Sequence, residues 1–214
     1  KEDDFRLQVD GQEFSAKRVL LATGIEDILL PIEGFDTYYG KSIFPCPYCD
    51  GWEAKDKCIA VYGKGKRGVD FALFMRLWSK DLHLCTDGYP LSRKQKALLQ
   101  KASISFHEEP IQRFNGDETL KEVTFCNGTT LSCSMLFFTA GQKLHDALAR
   151  EIGCHITEKE FIRVNKEKET TVPGVYAAGD CTRDVHMAIA AAGEGAKAAF
   201  FINRSLFRDS AMLK

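Results

Sequence analysis

The sequence predicts an α/β protein with two related halves, and two observations support this prediction. First, a short apolar run at residues 58–62 leads into a glycine loop at residues 63–68, and apolar side chains then recur at helical spacing over residues 71–78. Strand, glycine loop and amphipathic helix follow one another as a βαβ unit requires. Second, a pattern of hairpin, return strand and apolar strand occurs twice, ending at Gly24 and at Gly141. This self-similarity indicates a duplicated nucleotide-binding half.

The individual elements follow from local patterns. Asp10-Gly11 and Asn127-Gly128 are strong signals for hairpin turns. The continuous apolar run over residues 18–24 is typical of a strand that is buried on both faces. We also predict a helix over residues 93–101, strands over 104–107 and 161–165, an amphipathic segment over 144–152, an apolar strand from 175 that ends at Gly179, and a small-residue helix over 187–203.

The two copies of the repeated pattern differ in the length of chain that precedes their final glycine. The glycine loop of the second copy begins 78 residues before Gly141 (141 − 63), whereas the chain begins only 23 residues before Gly24 (24 − 1). We therefore expect that a front part of the first copy, with its own glycine loop, precedes Lys1.

Composition and charge narrow the class of protein. The chain has 214 residues, which suffices for one or two domains with a core. With 29 basic and 30 acidic residues the net charge is −1, so neither nucleic acid nor a membrane surface is expected as a partner. We find no membrane-length apolar run and no signal-peptide core. The 8 irregularly spaced cysteines do not resemble a secreted disulfide scaffold, and we expect a cytoplasmic protein with mostly reduced thiols.

Cys46 and Cys49 form a C-x-x-C pair, whose sulfurs can close and reopen a small ring without large backbone movement. The thiolate is the reactive form of cysteine, and C-x-x-C spacing lowers the thiol pKa. Asp50 follows directly and can exchange a proton with the neighbouring sulfur. The combination predicts a redox-active dithiol, which we call the redox pair. Half of a zinc site is the alternative, but the other cysteines occur singly and offer no second C-x-x-C, so redox chemistry is favoured.

The glycine loop predicts a nucleotide site, with a purely structural loop as the alternative. Gly63 would make the tight turn, Gly65 would admit a pyrophosphate against the backbone, and Gly68 would let helix and strand approach. The N-terminus of the following helix would supply N–H groups to the phosphates.

Near the C-terminus, Gly179-Asp180 ends an apolar strand before the helix of small residues. Asp180 can accept hydrogen bonds from a ribose or ribitol hydroxyl, and the helix that begins near Met187 could direct N–H groups at an electron-rich ring edge. An ordinary helix cap explains the same residues equally well, and the same alternative holds for His186. Both interpretations remain open from spacing alone.

Together these motifs resemble the low-molecular-weight thioredoxin reductase family of flavoproteins. The resemblance rests on residues 22–24 (ATG), 46–51 (CPYCDG), the glycine loop, and 175–180 (VYAAGD) followed by 192–195 (AGEG). It implies an α/β fold with two Rossmann-like nucleotide-binding domains, in which an NAD(P) domain (residues 40–141) is inserted in a sequence-split FAD domain (residues 1–39 and 142–214).

The resemblance also implies the chemistry. Members are homodimers in which NADPH reduces FAD, FAD reduces the cysteine pair, and the pair reduces a disulfide of a thioredoxin-like protein. Cys49 would face the flavin, Cys46 would attack the partner disulfide, and Asp50 would donate and accept the proton. The implied FAD contacts are Thr23, Gly24, Gly179, Asp180, His186, Met187 and Ala188.

This chain departs from the family pattern at two places. His186-Met187 stands where the family usually has Arg-Gln, and Asp87-Gly88-Tyr89 stands where it normally carries a basic cluster for the 2′-phosphate of NADPH. Asp87 is placed to hydrogen-bond the ribose 2′-hydroxyl of NADH, which leaves the choice of nicotinamide open. The C-P-Y-C-D-G variant is also similar to fungal enzymes that oxidise small-molecule dithiols with oxygen. A FAD-dependent dithiol oxidase and a non-catalytic dinucleotide-binding module are therefore the alternatives.

Overall fold

The computed structural model describes residues 5–183 and 185–211. Its strands are β1 (Phe5–Val9), β2 (Gln12–Ala16), β3 (Val19–Leu21), β4 (Ile25–Asp27), β5 (Ile43–Phe44), β6 (Ile59–Tyr62), β7 (Leu82–Cys85), β8 (Ser105–His107), β9 (Ile111–Gly116), β10 (Leu120–Phe125), β11 (Thr130–Ser132), β12 (Met135–Phe138), β13 (Gln142–Leu144) and β14 (Val175–Ala177). Its helices are α1 (Phe35–Tyr38), α2 (Pro47–Asp50), α3 (Gly65–Met75), α4 (Arg93–Lys101), α5 (Ala147–Ile152) and α6 (Ala188–Ala211). Among these residues, no helix combines the length and the apolar character that spanning a membrane requires.

The chain divides into two compact units. The outer unit holds the chain up to Glu26 together with the chain from Gln142 onward, and the central unit spans Asp27–Gly141. The central unit thus begins 13 residues before the predicted boundary at residue 40 (40 − 27), because Phe35 is buried in its core. The assignment of the units to FAD and NAD(P) stays a prediction, and residues 1–4, 184 and 212–214 of the predicted FAD domain lie outside the described residues.

A five-stranded parallel sheet forms the middle of the central unit, in the order β5-β12-β6-β7-β8. The four residues of β6 are at most 6% exposed, as expected for a parallel strand that is covered on both faces. One face packs against α3 and α4, and the other packs against the antiparallel sheet β11-β10-β9. This arrangement confirms the α/β prediction and the order of strand, glycine loop and helix.

The outer unit is built around the parallel pair β3 and β14, in which Val175 lies opposite Val19 and Ala177 opposite Leu21. The prediction that the first apolar strand is buried on both faces is wrong. Leu21 is 4% exposed, whereas Leu20 is 40% exposed. Only one face of β3 packs into the described core of this unit.

Several local predictions are confirmed and others need correction. Gly11 and Gly128 occupy the two hairpin turns with positive φ, and α4 covers the predicted residues behind a capping box at Ser92. The predicted strand over 161–165 is wrong, since this segment forms only an isolated bridge between Ile162 and Ile156. The last helix continues to Ala211, beyond the predicted end at residue 203, because residues 204–211 contain neither glycine nor proline.

Candidate functional site

The redox pair lies on a one-turn helix of the central unit. Cys46 directly precedes α2, and its carbonyl accepts hydrogen bonds from the N–H groups of Cys49 and Asp50 at 3.3 and 3.2 Å. Pro47 fits the first helical position because that position needs no N–H donor. The turn brings the two sulfurs to 2.9 Å, with both thiols free. The structure therefore brings together the pair that the sequence predicts, next to Asp50.

Aromatic packing holds this turn on helix α3. The Tyr48 ring lies 5.6 Å from the Phe74 ring and 5.8 Å from the Trp78 ring. A Cβ on Gly51 would lie 2.3 Å from the indole nitrogen of Trp78 and 2.3 Å from the carbonyl oxygen of Pro47, so only glycine fits there. The glycine of the C-P-Y-C-D-G motif is therefore a packing requirement of the turn.

The pKa of Cys49 differs from the prediction. The pKa of Cys49 is raised to about 11, first because its thiol donates a hydrogen bond to Cys46, then because of burial and the negative charges of Cys46 and Asp50. The expected lowering of the thiol pKa is thus wrong for Cys49 in the reduced pair. Burial, and then the charge of Glu53, raises the pKa of Asp50. This carboxyl group holds a proton at higher pH than an ordinary aspartate.

Exposure also distinguishes the two sulfurs. Cys49 is exposed in the described chain, and Cys46 is half-buried. The resemblance assigns Cys46 to the attack on the partner disulfide and Cys49 to the flavin, and these roles stay predictions.

The glycine loop packs as the sequence predicts. A Cβ on Gly68 would lie 2.3 Å from the carbonyl carbon and oxygen of Gly63, so both glycines are needed for strand and helix to meet. Gly65 has φ +60° and begins α3, where the side chain of Lys64 forms no capping hydrogen bond to the first turn. Backbone N–H groups at this helix start fit an anion, and pyrophosphate binding stays a prediction.

Asp87 lies in a turn after β7 with φ +50°. Its carboxylate accepts hydrogen bonds from the N–H of Ile111 at 3.0 Å and the hydroxyl of Tyr62 at 3.2 Å, and it pairs with Lys64 at 3.0 Å. Although burial acts to raise the pKa of Asp87, these contacts lower it below the ordinary value. Asp87 is therefore an ionised residue that Lys64 partly neutralises, which weakens the expected repulsion of a 2′-phosphate. Its contact with a ribose stays a prediction.

In the outer unit, Thr23 and Asp180 present unpaired oxygens. Because β3 and β14 are parallel, the segments that follow them leave the sheet at the same edge. Thr23 Oγ1 and Asp180 Oδ1 are buried and have no hydrogen-bond partner within the described part of the chain. A buried oxygen without a partner costs about 1–3 kcal/mol. Such oxygens fit the hydroxyl groups of a ribityl or ribose chain, which would supply the missing donors.

Glu194 anchors the loop that carries Asp180. Its side chain, 6% exposed, accepts hydrogen bonds from the N–H of Gly179 at 3.0 Å and from the hydroxyl of Thr182 at 2.7 Å. The same carboxylate pairs with Lys168 and Arg183, each at 2.5 Å. Gly179 has φ 86° and ψ −158°, a backbone region that essentially only glycine adopts. Sequence reasoning assigned Glu194 no role beyond its place in a motif, although a lone acid among the small residues of a helix was the available signal.

Of the remaining predicted FAD residues, Gly24 follows β3, and the other three lie where α6 begins. Gly24 has φ 66° just after β3. His186 Nε2 lies 2.9 Å from the carbonyl oxygen of Arg183, so this ring closes a local turn. Met187 and Ala188 are exposed at the helix start. The cofactor contacts of these residues stay predictions.

We expect Cys46→Ala to lower the pKa of Cys49 from about 11 towards the ordinary value of 9.0, because the substitution removes the sulfur that accepts its hydrogen bond. The pH dependence of Cys49 alkylation in the reduced chain, followed by mass spectrometry, measures this shift. Cys126→Ala removes an exposed thiol elsewhere and serves as the control. An unchanged pKa in Cys46→Ala would contradict the role given to the hydrogen bond.

Glu194→Gln tests the anchor through the pH dependence of stability. Burial acts to raise the pKa of Glu194, but the contacts with Lys168, Thr182 and Gly179 lower it overall. Its stabilising contribution is therefore complete above the ordinary pKa of 4.5 and is lost as pH falls through the lower folded value. We expect Glu194→Gln to lose about 3 kcal/mol at neutral pH, because two cations lose their partner.

Urea unfolding followed by circular dichroism at neutral pH and at a pH well below 4.5 measures this contribution. Glu151→Gln, which changes an exposed glutamate of the same unit, is the matched control. If Glu194→Gln and the control show the same loss of stability between the two conditions, the anchor is not supported.

Comparison with known proteins agrees with this geometry. Residues 1–195 match the family model of the pyridine nucleotide-disulphide oxidoreductases. The chain is 28% identical over 211 residues to a thioredoxin reductase of Aquifex aeolicus, and the match covers 92% of this chain and 64% of that protein. The crystal structure of HlmI superposes with a TM-score of 0.91 at 29% identity, over 98% of this chain and 66% of that one.

A putative thioredoxin reductase TrxB from Bacillus anthracis superposes with a TM-score of 0.90 at 29% identity, over 97% of this chain and 71% of that one. The chain spans 64% of the Aquifex protein, which is less than two thirds of its length. Proteins of the matched family use FAD and NAD(P)H, which confirms the predicted cofactors at the level of the family. With its α/β fold and its match over residues 1–195, the chain belongs to the pyridine nucleotide-disulphide oxidoreductase family.

Proposed function

We propose that this chain is part of a flavin-dependent disulfide reductase, in which electrons pass from NAD(P)H through FAD to the redox pair and on to a disulfide of a thioredoxin-like protein. The observation that supports this function most directly is the free dithiol with its sulfurs 2.9 Å apart beside Asp50. Matches to thioredoxin reductases over most of the chain support the same function.

The chemistry of the reduced pair follows from thiol–disulfide exchange. The thiolate of Cys46 attacks one sulfur of the partner disulfide, forms a mixed disulfide and releases the other partner sulfur as a thiolate. Cys49 then attacks the sulfur of Cys46, closes the Cys46–Cys49 disulfide and releases the second partner thiol. Two electrons pass to the partner, and the pair is oxidised. The raised pKa of Asp50 suits it to give a proton to the departing thiolate and to take one from Cys49.

The cofactors would be held at two separate places in the chain. Thr23 and Asp180 would accept hydrogen bonds from FAD hydroxyl groups, and Glu194 would keep the Asp180 loop in position. In the central unit, the first turn of α3 would receive the pyrophosphate of the nicotinamide cofactor. Asp87 would contact its ribose, which favours NADH over NADPH.

A small-molecule dithiol oxidase that uses oxygen is the second candidate. The C-P-Y-C-D-G variant favours it, and the turn is accessible, with Tyr48 and Trp52 73% and 74% exposed. Exposed aromatic rings suit an apolar small molecule as well as a protein surface. A non-catalytic module is a weaker candidate, because it would not need the dithiol and its neighbouring acid.

The proposed enzyme is a homodimer of the cytoplasm. We place the protein in the cytoplasm, because its described cysteines are free thiols. We expect a homodimer, and Ile189, Phe200 and Phe207 on α6 supply exposed apolar surface for one, at 77%, 63% and 70% exposure.

The reductase and the oxidase differ in their electron donor and acceptor. For the FAD-loaded protein, we expect consumption of the nicotinamide to depend on an added thioredoxin-like disulfide. Cys46→Ser and Cys49→Ser should each reduce this rate to background, whereas Cys126→Ser should leave it unchanged. Formation of peroxide from a small dithiol and oxygen, without nicotinamide and with the same dependence on both cysteines, would establish the oxidase instead.

The choice of nicotinamide depends on the charge at Asp87. We expect the wild type to have the higher kcat/KM with NADH, and Asp87→Arg to shift the ratio by about tenfold or more towards NADPH, because a cation replaces an anion near the 2′ position. Steady-state rates with both donors measure the ratio. Lys66→Ala, which changes an 87% exposed lysine of the same loop, is the control. A wild type that prefers NADPH, with an unchanged ratio in Asp87→Arg, would exclude this role.

A further inference from the structure

A second group of chemically reactive side chains lies at the opposite end of the parallel sheet from the glycine loop. Cys58 directly precedes β6, Asp81 directly precedes β7, and His83 is the second residue of β7. One ligand atom from each residue lies within 4.8 Å of the others. The glycine loop and Asp87 follow the carboxyl ends of the same two strands, so this cluster is separate from the predicted dinucleotide site.

We propose that Cys58, Asp81 and His83 bind one Zn²⁺ ion. Thiolate, carboxylate and imidazole are the three ligand types that zinc uses in proteins. The thiolate and the carboxylate together carry two negative charges, which match the charge of the ion. Three protein ligands leave the fourth tetrahedral position to water.

The distances need little adjustment to accept the ion. His83 Nε2 lies 3.1 Å from Asp81 Oδ1. With zinc bonds of about 2.0–2.2 Å, two such ligand atoms of a tetrahedron lie about 3.4 Å apart. The sulfur of Cys58, at most 4.8 Å from the other two atoms, has to approach by about 1.2 Å at most to complete the site.

Neighbouring groups hold the ligands in place. Metal-binding histidines usually donate their second ring N–H to a hydrogen-bond acceptor, and His107 Nε2 lies 3.2 Å from His83 Nδ1, where it can serve as that acceptor. The ring of His107 stacks on Phe125 with 5.1 Å between the ring centroids. Ser79, 2% exposed, donates a hydrogen bond to the carbonyl of Lys57 at 2.6 Å and accepts one from the N–H of Asp81 at 3.1 Å. One buried hydroxyl thereby fixes both chain segments that bring Cys58 and Asp81 together.

Zinc at this place would have a consequence for the redox chemistry. A zinc-bound sulfur is held away from thiol–disulfide exchange, so Cys58 would not compete with the redox pair for a partner disulfide. The ion would also join the starts of β6 and β7, which support the glycine loop and Asp87 at their other ends.

Metal titration of the chain tests the proposal, in a Cys46→Ser/Cys49→Ser background that removes the other dithiol capable of binding zinc. We expect one equivalent of Zn²⁺ to be bound in competition with a chromophoric chelator. Co²⁺ in its place should give a thiolate-to-cobalt charge-transfer band and the intense visible bands of a tetrahedral site. Cys58→Ser and His83→Gln should lose stoichiometric binding, and Cys126→Ser should retain it.

His107→Phe keeps a ring for stacking on Phe125 but removes the acceptor for His83, and it should weaken Zn²⁺ binding by about 10–100-fold. Circular dichroism of each variant checks that it folds. The Co²⁺ spectrum of the unaltered cluster tests the site independently of the variants. No stoichiometric Zn²⁺ binding in the background, a Co²⁺ spectrum without a thiolate band, or binding that survives Cys58→Ser would overturn the proposal.

Discussion

Parallel pairing of neighbouring strands brings together the residues of the predicted binding sites. Parallel strands end at a common edge, so residues far apart in sequence meet there. The pair β6 and β7 brings the glycine loop next to Asp87, where Lys64 pairs with its carboxylate, and the pair β3 and β14 puts Thr23 and Asp180 at one edge. The same geometry acts at the amino ends of β6 and β7, where Cys58 and Asp81 lie together.

Carboxylates that accept several hydrogen bonds fix the loops at these edges. Asp87 bonds the N–H of Ile111 and pairs with Lys64 in the central unit, and Glu194 bonds Gly179 and pairs with Lys168 in the outer unit. A buried charge is stable only where such partners offset the loss of its hydration. Each carboxylate thus loses hydration and holds its loop in one position, which would preorganise the proposed cofactor sites.

Local patterns account for what could be predicted from the sequence. The glycine loop, helix α4, the hairpin turns and the redox pair each follow from a short run of residues. Other features depend on three-dimensional neighbours. The exposure of Leu20 depends on which faces are covered, and the raised pKa of Cys49 depends on a hydrogen bond that spacing does not reveal. Glu194 and the Cys58 cluster take their partners from other strands and loops, and for this reason sequence spacing assigned them no site.

We propose that Cys46 and Cys49 form a reversible dithiol–disulfide switch. Closing the disulfide requires the sulfurs to approach from 2.9 Å by about 0.9 Å, within one turn of helix. The most direct measurement equilibrates the chain with mixtures of reduced and oxidised dithiothreitol, alkylates the free thiols and maps the disulfides by mass spectrometry. We predict one disulfide, between Cys46 and Cys49, that forms and reopens reversibly while the other cysteines remain free. A pair that stays reduced across the series, or a disulfide that joins other cysteines, would show that Cys46 and Cys49 are not such a switch.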